Sequence, residues 1–222
     1  KVGIGTSSPV EILHIKEGTN KNLHFTGGIG QIGNVTGFYA VNDANNAIVD
    51  IGMTGSTVRF GTTAGERGRF TGDGLCFNGD TAAANALDDY EEGTWTPAFT
   101  STNGGLSVGY SLQLGKYIKV GRLVYVSFYI ILNAVNANGS GNFMVTGLPF
   151  SHDSTNNHYG SLTVGYYAGT NNTIMQNGLV NTNDTTVHLF NGNANTTVSN
   201  STAAGVLTTG FQLLMSGTYM ST

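Results

Sequence analysis

Charge is what this chain has least of. Its 222 residues include 9 Lys and Arg and 13 Asp and Glu, so that only 10% are charged, against about a quarter in ordinary soluble domains. From Leu123 to Thr222 there is no Lys, Arg or Glu, and Asp153 and Asp184 are the only formal charges. Such a segment has few groups for acid-base or phosphate chemistry and many for hydrogen bonding and stacking on neutral, hydroxyl-rich ligands. All nine basic residues lie at or before Arg122 and form no cluster, and the net charge is -4. Neither nucleic acid nor an anionic lipid surface is indicated as a partner. Cys76 is the single cysteine, which excludes an intrachain disulfide and a disulfide-rich scaffold. The longest apolar run, Leu123 to Leu132, is interrupted by Ser127 and too short to span a bilayer, so membrane insertion is not expected. The hydrophobic fraction, 39%, is ordinary and does not describe a disordered chain.

What is present points to strands. Thirty-three Gly and a dense supply of Thr, Asn, Val and Tyr disfavour helical backbone and favour turns and pleated strands. Residues 1 to 86 carry short strand-like pieces between Gly-rich turns, a stalk-like region. Leu13 and Ile15 alternate with His14 and Lys16, and Leu23 and Phe25 with His24, which predicts a hairpin with an apolar face and both His on its polar side. Val35 to Val41, Ala47 to Met53, Val58 to Phe60 and Leu75 to Phe77 continue in the same style. Strands this short bury little surface per chain. Three copies wound about one axis would cover them, with Gly where backbones approach closely.

Thr81 to Leu87 is a small-residue connector, and residues 87 to 222 form a second region with longer strands. These are expected at Trp95 to Thr100, Leu106 to Leu114, Tyr117 to Val120, Leu123 to Asn133, Phe143 to Gly147, Ser161 to Tyr167, Thr173 to Val180, Thr185 to Phe190 and Val206 to Met215. About eight or nine strands separated by Asn, Gly and Ser predict an antiparallel β-sandwich of jelly-roll type. Gly121-Arg122, with Gly first, predicts a two-residue type II′ hairpin turn. The fold class is therefore all-β throughout, with short stalk strands followed by a sandwich head, expected as an intertwined homotrimer.

Several segments resemble known proteins in order. Val2-Gly3-Ile4-Gly5-Thr6-Ser7-Ser8-Pro9 followed by Leu13-His14-Ile15 resembles a segment repeated in bacteriophage tail fibres and marine viral structural proteins. Glu66-Arg67-Gly68-Arg69-Phe70 is similar to an element that recurs beside it, with Gly68 and Phe70 departing from the commoner residues. Leu87 to Pro97, which holds the only Trp and four of the thirteen acidic residues, resembles a boundary element before the terminal domain of such fibres. Gly115 to Val124, Gly147-Leu148-Pro149-Phe150 and the closing Ser216-Gly217-Thr218-Tyr219 resemble parts of that domain. The resemblance implies a receptor-binding protein, the distal tip of a trimeric virion tail fibre. Such a tip would attach to a bacterial polysaccharide or outer-membrane protein, be assembled in the host cytoplasm and join other tail proteins through a part preceding this chain. The chain begins without Met within a motif, and is expected to be a fragment or cleavage product.

Enzymatic sites find little support. Glycoside hydrolysis needs two carboxyl groups about 5 to 10 Å apart across a sugar, whereas Asp88, Asp89, Glu91 and Glu92 stand together on what reads as a solvated linker. A depolymerase acting on capsule or lipopolysaccharide would require Asp153 and Asp184 to converge. A purely structural fibre or decoration protein is the other alternative. Trp95 beside Tyr90 could stack on sugar, but Trp between two Thr at a strand start is more often a core or interface anchor. With five His in no His-x-His pair and one Cys, no metal site or cofactor is expected. A Ser-Lys peptidase pair is unsupported, since no Lys follows Lys119. The Gly27-Gly28-Ile29-Gly30 piece lacks the Lys and strand-to-helix setting of a phosphate loop.

Two constellations remain for binding. His152, Asp153 and His158 share the polar loop Ser151 to His158, near Tyr159, Tyr166, Tyr167 and the Ala168 to Asn172 turn. Asp184, His188 and Phe190 flank the Asn191 to Asn195 turn. Aromatic faces beside amide and carboxylate groups suit a saccharide, so Asp153, His158, Tyr166, Asp184 and His188 are the candidate receptor contacts. All the polar members are expected in or beside turns where truncation removes little packing, with the Ala134 to Gly141 loop or the aromatic surface around Tyr166 as the reserve location.

Overall fold

A computed structural model describes the chain except for residues 11–12, 20, 30–34, 45, 51, 54, 156, 171–173, 192–198, 201 and 203–205. It divides into two compact units, Lys1–Gly72 and Asp73–Thr222. The regular elements among the described residues are β-strands, apart from a short 3-10 turn at Ala83–Asn85.

In the first unit β1 (Val2–Ile4), β2 (Leu13–Gly18), β3 (Lys21–Ile29) and β4 (Val35–Val41) form one sheet in sequence order, with β1 parallel to β2 and the rest antiparallel. The expected hairpin is present, with Leu13 opposite Phe25 and Ile15 opposite Leu23. His14, expected on a polar face, is buried at 7% exposure. Its strand is interior to the sheet, between Gly3 of β1 and His24 of β3, rather than one half of a lone hairpin. Among the described residues of 47–53, the expected strand is reduced to an isolated bridge from Ile48 to Val41. A second hairpin, β5 (Val58–Thr62) and β6 (Gly65–Thr71), sets Phe60 edge-on to Phe70 at 5.9 Å, and Arg59 and Arg69 both reach Glu66.

The second unit begins with β7 (Gly74–Phe77), whose Leu75 bonds through both N–H and C=O to Leu87. Its main body is one continuous antiparallel sheet of ten strands. These are β8 (Tyr90–Trp95), β9 (Ala98–Ser101), β10 (Leu106–Val120), β11 (Leu123–Asn138), β12 (Phe143–Thr146), β13 (Gly160–Ala168), β14 (Met175–Val180), β15 (Thr186–Asn191), β16 (Ser199–Asn200) and β17 (Gln212–Met220). The order is β8-β10-β11-β17-β13-β14-β15-β12-β9, with β16 beside β15. β8 and β9 stand at opposite ends of that order, yet only Thr96 and Pro97 join them. The sheet must therefore curl on itself. Gln113 of β10 donates to the Pro97 carbonyl at 2.9 Å, and the Phe99 amide to the Tyr110 hydroxyl at 2.7 Å, across the closure.

The curl encloses the core. Along β11 the inward residues Val124, Val126, Phe128, Ile130 and Leu132 are 0–3% exposed, and Leu213 and Met215 of β17, Leu162 of β13 and Val187 and Leu189 of β15 meet them. Burying each such side chain contributes about 1.5–3 kcal/mol before the entropy of ordering it.

Several expected boundaries are corrected by these contacts. Leu106 to Leu114 and Tyr117 to Val120 are one strand, because Gly115 serves close packing under Trp95 and not a turn. Trp95 ends a strand and does not begin one; Pro97, which cannot donate to the ladder, separates β8 from β9. The Ala134 to Gly141 stretch is largely strand, since Asn138 still pairs with Leu106. The final strand runs Gln212–Met220 after a turn with Gly210 at φ 86°. Asp88 to Glu92, expected as a solvated linker, is partly edge strand: Glu91 pairs with Lys119 and Glu92 with Ile118. The Gly121-Arg122 turn is as expected, with φ 55° at Gly121 alone.

Candidate functional site

Three segments distant in sequence meet at one end of the curled sheet. The β10–β11 turn brings Arg122, the end of β17 brings Met220 and Ser221, and the 151–158 loop brings His152 and Asp153. Backbone bonds lock them: Ser221 N to Arg122 O at 2.7 Å, Asp153 N to Met220 O at 2.8 Å and His152 N to Asp184 O at 2.9 Å. Asn183, in the left-handed conformation that Asn tolerates, donates to the Asp153 carbonyl at 3.1 Å. The 151–158 loop is thus a neighbour of the segment that holds Asp184.

Asp153 is the hub. It is 4% exposed, and its carboxylate accepts from the Arg122 guanidinium at 3.0 Å and the Thr155 amide at 3.2 Å, with His158 Nδ1 at 3.2 Å. Burial pushes the carboxyl pKa up; the Thr155 amide, the His158 ring and the nearby His152 together outweigh it and hold the pKa below its ordinary 3.8. The expectation that truncation here removes little packing is corrected, because Asp153 is an internal anchor. His152 is fully buried, stacked on Tyr219 at 6.1 Å and edge-on to His158 at 5.4 Å. Tyr219 shares a bond with each polar group of the Phe150 backbone, donating to O at 2.9 Å and accepting from N at 3.3 Å, and burial raises its pKa to about 12 against that bond.

Ligand atoms of His152, Asp153 and His158 lie within 4.8 Å of one another, close enough to share a cation. The Arg122 cation already occupies the carboxylate, however, and His152 Nδ1 faces the Asp153 carbonyl at 3.1 Å. The Asp153 carboxylate and His152 Nδ1 are thus engaged within the chain, while the buried His152 Nε2 has no hydrogen-bond partner among the described residues; with the carboxylate held by Arg122, the cluster carries no metal assignment.

Asp184 is engaged as well. Its carboxylate takes the Thr186 amide at 2.9 Å, the Thr186 hydroxyl at 2.7 Å and His188 Nε2 at 2.9 Å. The two acidic groups beyond Arg122 are therefore both committed inside the molecule. Of the remaining nominated residues, His158 has a half-exposed ring, and Tyr166 stands apart on the outer face of β13, 49% exposed. Tyr167 packs against the core and Tyr159 is exposed. Within the nominated turns, residues 171–172 and 192–195 lie outside the described residues, as do the side chain of His24 and Gly30.

Acidic residues of the Leu87 to Pro97 segment bind the sheet edge. Asp89 pairs with Lys119, Glu91 accepts from the Tyr117 hydroxyl, and Glu92 from the Tyr90 hydroxyl at 3.2 Å. Sequence reasoning missed Arg122, read only as a turn residue, and Lys116, which shares the exposed face of β10 with Leu114 and Ile118.

No protein-family model matches the chain, and no curated protein matches it. Among solved structures it is similar to the crystal structure of Dettilon tailspike protein (gp208), with 14% sequence identity and a TM-score of 0.49. The match covers 61% of this chain and 25% of that one, so the chain spans about a quarter of the length of that structure.

Proposed function

We propose that this chain is the distal part of a phage tail fibre, a homotrimer whose jelly-roll-like β head attaches the virion to a polysaccharide or outer-membrane protein on a bacterial surface. The observation that carries the reading is the disposition of charge. From Leu123 onward the only two formal charges, Asp153 and Asp184, are turned to internal partners, which leaves hydroxyls, amides and aromatic rings as the surface vocabulary. That suits recognition of sugars, which present hydroxyls and C–H faces together. Within the second unit, the segments that resemble tail fibres converge on one framework, in which Trp95 packs on Gly115, Tyr117 packs on Phe150 and Tyr219 bonds to Phe150, so the rest of that unit's surface is free to vary with the receptor. Three equivalent sites per trimer would turn weak single contacts into firm adhesion.

Binding of the labelled protein to bacterial cells, intact and stripped of lipopolysaccharide or of surface protein, tests the proposal. Retention on one class of cell and loss on stripping is the expected result; no binding to any cell would reject it. Release of new reducing ends from the polysaccharide on incubation would favour a depolymerase instead.

A further inference from the structure

The register of the sheet aligns its outward-facing residues into rows that run across the strands. One row reads Thr94 of β8, Lys116 of β10, Ser127 of β11, Ser216 of β17 and Thr163 of β13. These are small hydroxyl residues and one cation. The row on one side reads Glu92, Ile118, Tyr125, Thr218 and Ser161; the row on the other reads Leu114, Tyr129, Leu214 and Tyr166. Over β10 and β11 the short side chains lie between taller ones on both sides, and over β17 and β13 the tall row of Leu214 and Tyr166 continues on one side; two adjoining grooves of about 460 and 310 Å³ lie on the trough, sharing Lys116, Tyr125 and Ser127. At about 4.8 Å between neighbouring strands, five strands make a trough of roughly 19 Å.

Lys116 sets its chemistry. The other two basic residues of the second unit are paired, Lys119 with Asp89 and Arg122 with Asp153, whereas Lys116 has no carboxylate within ion-pair distance among the described residues. Nor do the four hydroxyls of the row use their side chains in bonds within the described chain. The Glu92 carboxylate lines the same groove but accepts from the Tyr90 hydroxyl and makes no ion pair with Lys116, so an unpaired ammonium amid free hydroxyls, beside Tyr125 on one side and Tyr129 and Tyr166 on the other, offers one point of positive charge and a line of hydrogen bonds next to aromatic faces.

We infer that this trough is a binding site for a linear acidic oligosaccharide lying across the strands, with a sugar carboxylate on Lys116 and pyranose faces against the flanking tyrosines. The inference rests on the attachment reading above and moves its principal contact from the 151–158 and 181–191 segments to the outer sheet face; of the residues nominated from sequence, only Tyr166 belongs to it. A surface of this kind is also what a second copy of the chain could cover, and the experiment distinguishes the two.

The probes are purified bacterial surface polysaccharides, half containing uronic acids and half neutral, with intact cells as the second readout. The variants are Lys116→Gln, which removes the charge, and Ser216→Tyr, which fills the middle of the trough; melting curves and light scattering verify fold and assembly. The wild type should prefer uronate-containing members, with affinity that falls as salt rises. Lys116→Gln should lose at least tenfold in affinity together with that salt dependence, and Ser216→Tyr should abolish binding while remaining folded. Cell adsorption by the wild type that neither variant lowers overturns the trough but leaves the attachment reading standing. A change in oligomeric state in Ser216→Tyr also overturns the trough, assigning the face to contacts between copies. Wild-type protein that adsorbs to no cell and no polysaccharide overturns both.

Discussion

Trp95 lies directly over Gly115, the residue paired with it on the next strand: a Cβ placed on Gly115 would stand 2.6 Å from the indole Nε1. Two residues along, the relationship is reversed, with Tyr117 of β10 covering Gly93 of β8, where a Cβ would be 2.8 Å from the phenol oxygen. Each glycine on this face makes room for the ring opposite, and the pair of exchanges seats the edge strand against the core.

Gly115→Ala should therefore displace the indole. Overpacking of this kind costs about 1–3 kcal/mol. Since Trp95 is the only tryptophan, its fluorescence should shift to the red in parallel with a lower melting temperature. Unchanged emission and stability would show that the strand relaxes without moving the ring.

Trp95→Ala should cost about 3–5 kcal/mol, because the ring is 8% exposed, packs edge-on to Phe128 at 5.7 Å and donates to the Lys116 carbonyl. Urea unfolding measures it. Wild-type stability with lost cell binding would instead make the indole a ligand contact.

Asp153 should make the fold sensitive to acid. Its folded pKa is depressed, so its contribution is complete above the ordinary value of 3.8 and is lost as pH falls through the lower folded value. Melting temperatures of the wild type should drop through that acidic window more steeply than those of Asp153→Asn, which starts lower at neutral pH. Parallel curves for the two proteins would contradict the anchoring role.

Tyr219 should do the opposite at high pH. Its folded pKa, about 12, lies above the ordinary 10.0, so its stabilisation is complete below pH 10 and is lost as pH rises toward 12. Tyr219→Phe removes that alkaline loss and leaves the Phe150 amide and carbonyl without their partner, costing about 1–3 kcal/mol at neutral pH. Thermal melts of both proteins between neutral pH and pH 12 test both parts.

Assembly should be trimeric. Light scattering at micromolar concentration should return about three times the 23.2 kDa of one chain; a monomer would reject the homotrimer and with it the avidity argument.

Local chemistry was legible in the sequence. Alternation along Val124, Val126, Phe128, Ile130 and Leu132 marks one buried face because side chains on a strand change sides at every residue, and Gly121-Arg122 marks a hairpin because glycine takes the positive φ such a turn requires. Those signals live within one segment, so composition and period alone determined an all-β chain with a charge-poor second region. Which strands become neighbours is a property of no single segment. Only the tertiary structure placed β17 between β11 and β13, made the acidic boundary segment an edge strand, and carried Arg122 to Asp153, 31 positions away. The same step turned Asp153 from an expected loop contact into a buried hub. It also drew Thr94, Lys116, Ser127, Ser216 and Thr163 into one row, because register is fixed by how the inward faces pack around a common core, and the outward faces are aligned as its consequence.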